Sequence, residues 1–287
     1  MTRRRLAAVL ALAVLLAGCA GGLGGDGGGD AGRTVNPALA ETPTASPTPT
    51  PARDYPLGVT ADRVSVGTVS TEHDRVLSGR DSTVRFDRIV VAENGTTLAT
   101  SRGVIESAGD RLSYRIVTEG SPPDGSGFAA AEFAVWSNRS LTTVRSVNED
   151  GDVRYRVLRG ASEEAVETDD SGEGLVYAAL VDTEVRLAGT TTVDGETLYV
   201  LRAEHDRLDR TIGPPTRNHS VVAYVTEEGV VRSYQVRYTA TYETANGSVT
   251  ATTTEQFRVT LGDTTAAPPT WVGEALRTEG EQSESEE

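Results

Sequence analysis

The sequence predicts an α+β fold that is mainly β, with a large curved antiparallel sheet (a partial barrel) and about two helices covering its concave face. Apolar and polar residues alternate through most of residues 84–261, which is typical of strands with one buried and one solvated face. Asn-Gly, Asp-Gly and Glu-Gly pairs separate several of these segments and favour hairpin turns. Two apolar segments without this alternation indicate helices. Because about ten strands twist and curl, the helices are expected inside the curve.

The first predicted element is a helix over residues 64–77, whose apolar residues recur at helical spacing despite Gly67. Strands are then expected at 84–91, 112–116, 131–135 and 153–157, with Asn94-Gly95 after the first. A second helix is predicted from Ser171 to about Val185, since adjacent alanines favour it over the alternative of a strand. The remaining strands are predicted at 185–187, 198–201, 220–226, 230–243 and 248–261. The indole of Trp271 is then expected to dock on the domain.

The leader of the chain predicts export. Three arginines precede the apolar segment 6–17, which is shorter than the roughly 20 residues that a membrane-spanning helix needs. Leu16-Ala17-Gly18-Cys19 follows and resembles the lipobox of secreted lipoproteins. That resemblance implies cleavage before Cys19 and attachment of a lipid to its thiol. The alternative is an ordinary signal peptide with a leftover thiol, and both the twin-arginine and the general secretion routes are open.

Four segments are therefore expected along the chain. A signal peptide ending in the lipobox covers 1–18, and a lipidated tether rich in Gly, Pro and Thr covers 19–53. A single curved-sheet domain covers 54–276, and a disordered acidic tail covers 277–287. A flexible tether of this length spans roughly 30 Å on average, which lifts the domain clear of the membrane surface.

Composition narrows the range of partners. The net charge is -15, from 42 acidic residues and 27 basic residues, and the sequence contains no lysine. Such a surface disfavours binding to nucleic acid or to anionic lipid headgroups, so membrane attachment is expected through the lipid on Cys19. Abundant Asp, Glu and Thr without lysine resemble the proteins of salt-loving archaea. The alternative is an acidic protein from a GC-rich genome.

The order of elements resembles the LolA and LprG type of lipoprotein and lipid carriers, in which helices lie over the concave face of a curved sheet. The leader, the tether, the Asn-Gly hairpins and the closing Pro-x-Trp also resemble secreted lipoproteins of halophilic archaea. These resemblances imply an apolar trough suited to an acyl or isoprenoid chain. The alternative is a filled β-sandwich or barrel with the helices plugging its core. The candidate lining residues are the same for both: Val84, Phe86, Tyr114, Ile116, Phe133, Val135, Tyr155, Leu175, Ala179 and Leu180.

Four Asn-x-Ser/Thr triplets are candidate N-glycosylation sites, each expected in a turn or loop: Asn94, Asn138, Asn218 and Asn246. His73 and His205 sit in matching Glu-His-Asp-Arg sequences, but one imidazole in each favours surface histidines paired with charges over a zinc site. The acidic segment 169–173 suits either Ca²⁺ or a plain surface loop. No catalytic residue, metal or cofactor is expected, because the chain lacks Gly-x-Ser-x-Gly and His-Glu-x-x-His.

The sequence therefore predicts a membrane-anchored extracellular lipoprotein that is not an enzyme. Its expected role is to bind or carry a hydrophobic, lipid-like ligand at the cell surface. The alternative is a structural or interaction domain of the archaeal cell envelope with a filled core.

Overall fold

The computed structural model describes residues 55–123, 131–160, 169–211, 213–244 and 247–285, with side chains as far as residue 281. Three helices lie in this part of the chain: α1 (Val66–Leu77), α2 (Glu173–Leu180) and α3 (Thr270–Ser285). Eleven strands accompany them: β1 (Ser82–Ala92), β2 (Thr97–Ala108), β3 (Arg111–Gly120), β4 (Glu132–Asn138), β5 (Leu141–Val147), β6 (Val153–Arg159), β7 (Arg186–Val193), β8 (Glu196–Leu208), β9 (Thr216–Thr226), β10 (Val231–Thr244) and β11 (Gly247–Leu261).

All eleven strands belong to one antiparallel sheet in the order β6-β5-β4-β3-β2-β1-β11-β10-β9-β8-β7. Strands β1 to β6 form one meander and β7 to β11 a second, and the pairing of β1 with β11 joins them. The sheet is open, with β6 and β7 at its edges. The predicted fold class is confirmed. Strands β2 and β5 were not predicted from the sequence, and they bring the number to eleven.

Helices α1 and α2 cover one face of the sheet, which we call the inner face. They pack against each other, and α1 also packs against β10. Gly172, directly before α2, lies so close to Phe257 of β11 and Val84 of β1 that a Cβ there would contact both. Its φ of +79° also favours glycine. The predicted placement of two helices over this face is confirmed.

His73 fastens the two helices to the sheet. Its ring is fully buried, and its Nδ1 accepts a hydrogen bond from the backbone N–H of Val231 at 3.1 Å. Nε2 therefore carries the proton and donates to the carbonyl of Ser171 at 3.0 Å, just before α2. Burial lowers the pKa of His73, so the ring is neutral. The expectation of a surface histidine paired with charges is wrong here, because α1 turns this position toward the core.

Asp169 caps α2. One carboxylate oxygen accepts hydrogen bonds from the backbone N–H groups of Gly172 and Glu173 at 2.6 and 2.9 Å, and the other accepts from Gly174 at 2.7 Å. These N–H groups would otherwise have no partner at the start of the helix. The carboxylate of Asp169, in the segment considered for Ca²⁺, thus accepts hydrogen bonds from three backbone N–H groups. The helix ends at Leu180, earlier than predicted, and Val185 lies between α2 and β7.

Helix α3 occupies the region predicted to contain a docked indole and, from residue 277, a disordered tail. It packs against β5 and β6 on the opposite face, which we call the outer face, and buries Val272 and Ala275. Its anchors are polar, since the hydroxyl of Tyr155 donates to Glu274 at 2.8 Å and Arg159 pairs with Glu279 at 2.7 Å. The prediction of disorder is wrong for the helical residues 277–285.

Candidate functional site

Three aromatic side chains form a row across the inner face, which we call the aromatic row: Phe86 on β1, Tyr114 on β3 and Phe133 on β4. The ring centroids of Phe86 and Tyr114 are 6.4 Å apart with the planes at 28°, and those of Tyr114 and Phe133 are 6.0 Å apart at 66°. Phe86 is buried, whereas Tyr114 and Phe133 are half-buried. Burial raises the pKa of the Tyr114 hydroxyl, with a further contribution from Asp169.

Gly103 makes the row possible. It lies opposite Phe86 on β2, and a Cβ at this position would overlap the ring of Phe86. The missing side chain lets the ring lie flat across β2 and reach toward β3. A strand glycine is otherwise unfavourable, so its place is explained by this close approach.

Nine of the ten predicted lining residues lie on the inner face or on α2. Strands β1, β3 and β4 present six of them to one side of the sheet, where register pairs Tyr114 with Val135 and Ile116 with Phe133. The other three are on α2, where Leu175 is half-buried and Ala179 and Leu180 are buried. Their contact with a ligand stays a prediction.

The prediction that Tyr155 lines the inner face is wrong. Tyr155 pairs with Arg145, which pairs with Ala134, whereas Val135 pairs with Val144. Tyr155 therefore lies on the outer face, next to α3. The unpredicted β5 between β4 and β6 sets which face each residue of β6 occupies, and alternation within one strand does not specify this.

The part of the inner face beneath α1 and α2 is a packed core. Val84 and Leu180 are fully buried, and the rings of Tyr234 and Phe257 stack at 4.9 Å with nearly parallel planes. The hydroxyl of Tyr234 donates to the carbonyl of Leu175 at 3.3 Å. The predicted lining residues in this region, such as Val84 and Leu180, are therefore part of the core. The half-buried end of the aromatic row, Tyr114 and Phe133, lies on β3 and β4.

A row of polar side chains runs beside the aromatic row, two positions along each strand from Phe86 and its partners Gly103 and Ile116. Register places Arg88, Ser101 and Thr118 side by side on β1, β2 and β3, and the hydroxyls of Ser101 and Thr118 are 3.0 Å apart. Arg88 Nε lies 3.3 Å from a carboxylate oxygen of Glu255, and Arg88 donates to the hydroxyl of Tyr238 at 2.7 Å. Burial raises the pKa of Tyr238 to about 12. The inner face is thus apolar at one level and hydrogen-bonded at the next.

The polar row ends at two histidines. His205 and His219 are directly opposite each other on β8 and β9, and the ring of His219 stacks on Tyr238 at 5.6 Å. The guanidinium of Arg210 lies 5.2 Å from the centroid of the Tyr238 ring. Burial, with the charges of Arg210 and His205, lowers the pKa of His219 to about 4. His219 is thus a buried, uncharged side chain, 4% exposed.

The matching Glu-His-Asp-Arg sequences form no common site, because one lies on α1 and the other on β8. Within the described part of the chain, no three metal-ligating side chains lie close enough together to hold an ion. No helix described here is long and apolar enough to span a membrane.

The candidate glycosylation residues occupy different settings. Asn94 is exposed in the β1–β2 turn, and Asn138 is the last residue of β4, where its side chain accepts from the N–H of Ser140. Asn218 is exposed but lies within β9, with a φ of +50°, so its predicted loop position is wrong. Asn246 and Cys19 lie outside the described residues. Glycosylation and lipidation stay predictions.

Comparison with known proteins identifies no family. No family model matches this chain. No curated protein matches it either. Among solved structures, the chain is similar to a DUF1329 family protein from Desulfovibrio piger, with 15% identity, a TM-score of 0.27, and coverage of 72% of this chain and 95% of that one. It is also similar to a LolA superfamily protein from Nitrosomonas europaea, with 13% identity, a TM-score of 0.23, and coverage of 70% and 96%. At these TM-scores the similarities carry no argument about function.

Proposed function

We propose that this protein is a lipoprotein anchored to the outer face of the cell membrane by a lipid on Cys19. We also propose that it binds one apolar chain of a lipid-like ligand along the aromatic row. The proposed location rests on the leader and on the Gly, Pro and Thr-rich segment after it. Two acyl or isoprenoid chains on the cysteine would give stable membrane residence.

The observation that carries ligand binding is the half-burial of Tyr114 and Phe133 at the end of the aromatic row. Full burial of one such side chain contributes about 1.5–3 kcal/mol, so an apolar chain that covers both rings gains a useful binding energy. Binding is favoured over catalysis because Arg88, Glu255 and Tyr238 are engaged with one another.

The second candidate is a structural or interaction domain of the cell envelope with a filled core. It is favoured by the complete burial of Val84, Val135 and Leu180, three of the residues assigned to the trough. In this case the aromatic row is the margin of the core, and no ligand occupies it.

One pair of measurements separates the two candidates. Native mass spectrometry of the purified mature protein is expected to detect a co-purifying lipid. In solution, the full chain with Cys19→Ser is expected to bind the fluorescent fatty acid cis-parinaric acid. Tyr114→Ala and Phe133→Ala each weaken this binding about tenfold or more, since each removes apolar contact area. Tyr177→Ala is the matched control, because Tyr177 is 46% exposed on α2. Absence of lipid, with equal probe binding in all variants, would establish the filled domain.

The anchor has its own test. Cys19→Ser is expected to release the protein from the membrane fraction into the medium, because serine cannot form the thioether that holds the lipid. Retention of the variant in the membrane fraction would refute the proposed attachment.

A further inference from the structure

The outer face carries a groove across β8 to β11 and β1, away from α3. A hollow of 560 Å³ has three arginines, two glutamines, a tyrosine and one carboxylate in its lining: Arg85, Arg202, Arg258, Gln235, Gln256, Tyr224 and Asp87. The carboxylate of Asp87 is paired with Arg102, at 3.8 Å. A neighbouring hollow of 610 Å³ extends it toward β7 and shares Tyr224, Ser233 and Arg258. Its lining also contains Asp194 and the ion pair of Arg232 with Glu196, at 3.2 Å. The two hollows therefore form one elongated groove, which we call the outer groove, with Tyr224 where they meet.

The charges of the outer groove contrast with those of the whole chain. Arg85 and Arg258 lie directly opposite each other on β1 and β11, and both are exposed. Like charges at directly opposite positions destabilise a sheet. Among the described residues, the salt bridges do not include Arg85, Arg202 or Arg258. In a chain of net charge -15, three exposed arginines without a carboxylate partner suit an external anion.

We propose that the outer groove binds a linear acidic glycan with a carboxylate on successive sugar units. The guanidinium groups of Arg85, Arg258 and Arg202 match carboxylates in a bidentate geometry. The amides of Gln235 and Gln256, neighbours on β10 and β11, can both donate to and accept from sugar hydroxyls. The half-buried ring of Tyr224 offers an apolar surface to the face of a sugar ring at the centre of the groove.

The setting favours a polymer over an anionic membrane. A flat anionic surface must approach the whole outer face, which also presents Glu106, Glu119 and Glu204, and so meets the repulsion of these carboxylates. A single chain in the arginine-lined part of the groove meets three arginines and only one carboxylate, Asp87, which is paired with Arg102.

The setting also favours a glycan over an acidic peptide. Extended peptides bind sheets at their edges, where backbone groups are free to pair. The arginine-lined part of the outer groove lies over β8 to β11 and β1, and each of these five strands is paired on both sides. Recognition there uses side chains alone, which suits hydroxyl and carboxylate groups.

The test uses polygalacturonate as the anionic probe and dextran as the neutral one, with the full chain carrying Cys19→Ser. Isothermal titration calorimetry is expected to show binding of polygalacturonate and no binding of dextran. The double variant R85Q/R258Q is expected to lose at least about tenfold in affinity, and Y224A about fivefold. The double variant R63Q/R154Q is the matched control, since it removes two exposed arginines outside the groove. Its affinity should stay within about twofold of the unsubstituted chain.

A stability readout shows that the variant is folded. R85Q/R258Q is expected to unfold at the same temperature as the parent chain or at a higher one, because the substitution removes a repulsion. Equal affinity of R85Q/R258Q and the parent for polygalacturonate, or equal binding of dextran, would overturn the proposal. So would binding to phosphatidylglycerol vesicles that depends on Arg85 and Arg258, if polygalacturonate does not bind.

Discussion

Substituting Gly103 by alanine tests the geometry on which the aromatic row depends. The new methyl group would occupy the space of the Phe86 ring, so the ring must move or the strands must separate. Phe86 is 5% exposed, and displacing it forfeits part of the 1.5–3 kcal/mol that its burial contributes. Overpacking of a well-packed site costs about 1–3 kcal/mol. The lower entropy of alanine in the unfolded chain returns about 0.5–1 kcal/mol, so we expect a net loss of about 2 kcal/mol.

The same substitution should have the opposite sign at Gly67. That residue is exposed in the first turn of α1, and a Cβ there meets no neighbouring atom. Gly67→Ala is therefore expected to raise the free energy of unfolding by about 0.5 kcal/mol through helix propensity alone. Urea unfolding followed by circular dichroism measures both changes, with the slope m as a check that the same surface is exposed.

A double-mutant cycle assigns the cost to the ring. Phe86→Ala alone should cost about 3–5 kcal/mol, since it leaves a cavity in the core. In that background Gly103→Ala should cost nothing or stabilise slightly, so the coupling energy is about 2 kcal/mol. A coupling energy near zero, or a neutral effect of Gly103→Ala in the unsubstituted chain, would refute the claim that this glycine accommodates Phe86.

Three further predictions concern polar side chains. His219→Phe keeps a ring against Tyr238 but removes the group that titrates. In the parent protein the pKa of His219 is about 4 when folded and 6.5 when unfolded, so the neutral imidazole stabilises the fold fully above pH 6.5. The parent should then lose up to about 3 kcal/mol relative to the variant as the pH falls from 6.5 to 4, and a pH-independent difference in urea unfolding contradicts this. Asp169→Ala removes the acceptor of three N–H groups and should cost about 1–2 kcal/mol in urea unfolding, with Asp169→Asn milder, whereas equal losses would argue against capping. The indole N–H of Trp136 donates to the buried carbonyl of Ala266 at 3.0 Å. Trp136→Phe leaves this carbonyl without a donor and should lower the free energy of unfolding by about 1–3 kcal/mol. An unchanged urea midpoint would show that this hydrogen bond does not stabilise the fold.

Elements with a strong local pattern could be predicted from the sequence. Helix α1 was expected at 64–77 and spans Val66–Leu77, because its apolar residues repeat at the period of a helix. Helix α2 was expected from its adjacent alanines, but its end at Leu180 was placed too late. Helix α3 was missed, since it contains Gly273 and Gly280 and buries few apolar side chains. Its contacts with β5 and β6 stabilise it, and these are tertiary.

The candidate site was predicted in part. Phe86, Tyr114 and Phe133 lie on one face, as predicted. Each lies in a strand with clear alternation, and the three strands belong to the same meander, β1 to β6. The polar row was missed, since Arg88 and Tyr238 are 150 residues apart in sequence and become neighbours only because β11 pairs with both β1 and β10. Gly103 was also missed, although a glycine within an alternating strand signals a close approach.

The sequence by itself determined the local features: where the chain alternates as strands, where it repeats as helix α1, where adjacent alanines favour helix α2, and where an apolar segment is followed by Cys19. These features depend on residues near one another along the chain. The tertiary structure decided the strand order, the face that Tyr155 occupies and the burial of His73 and His219. The physical reason is that alternation specifies one apolar face for each strand but not its neighbours, which depend on pairing between distant segments.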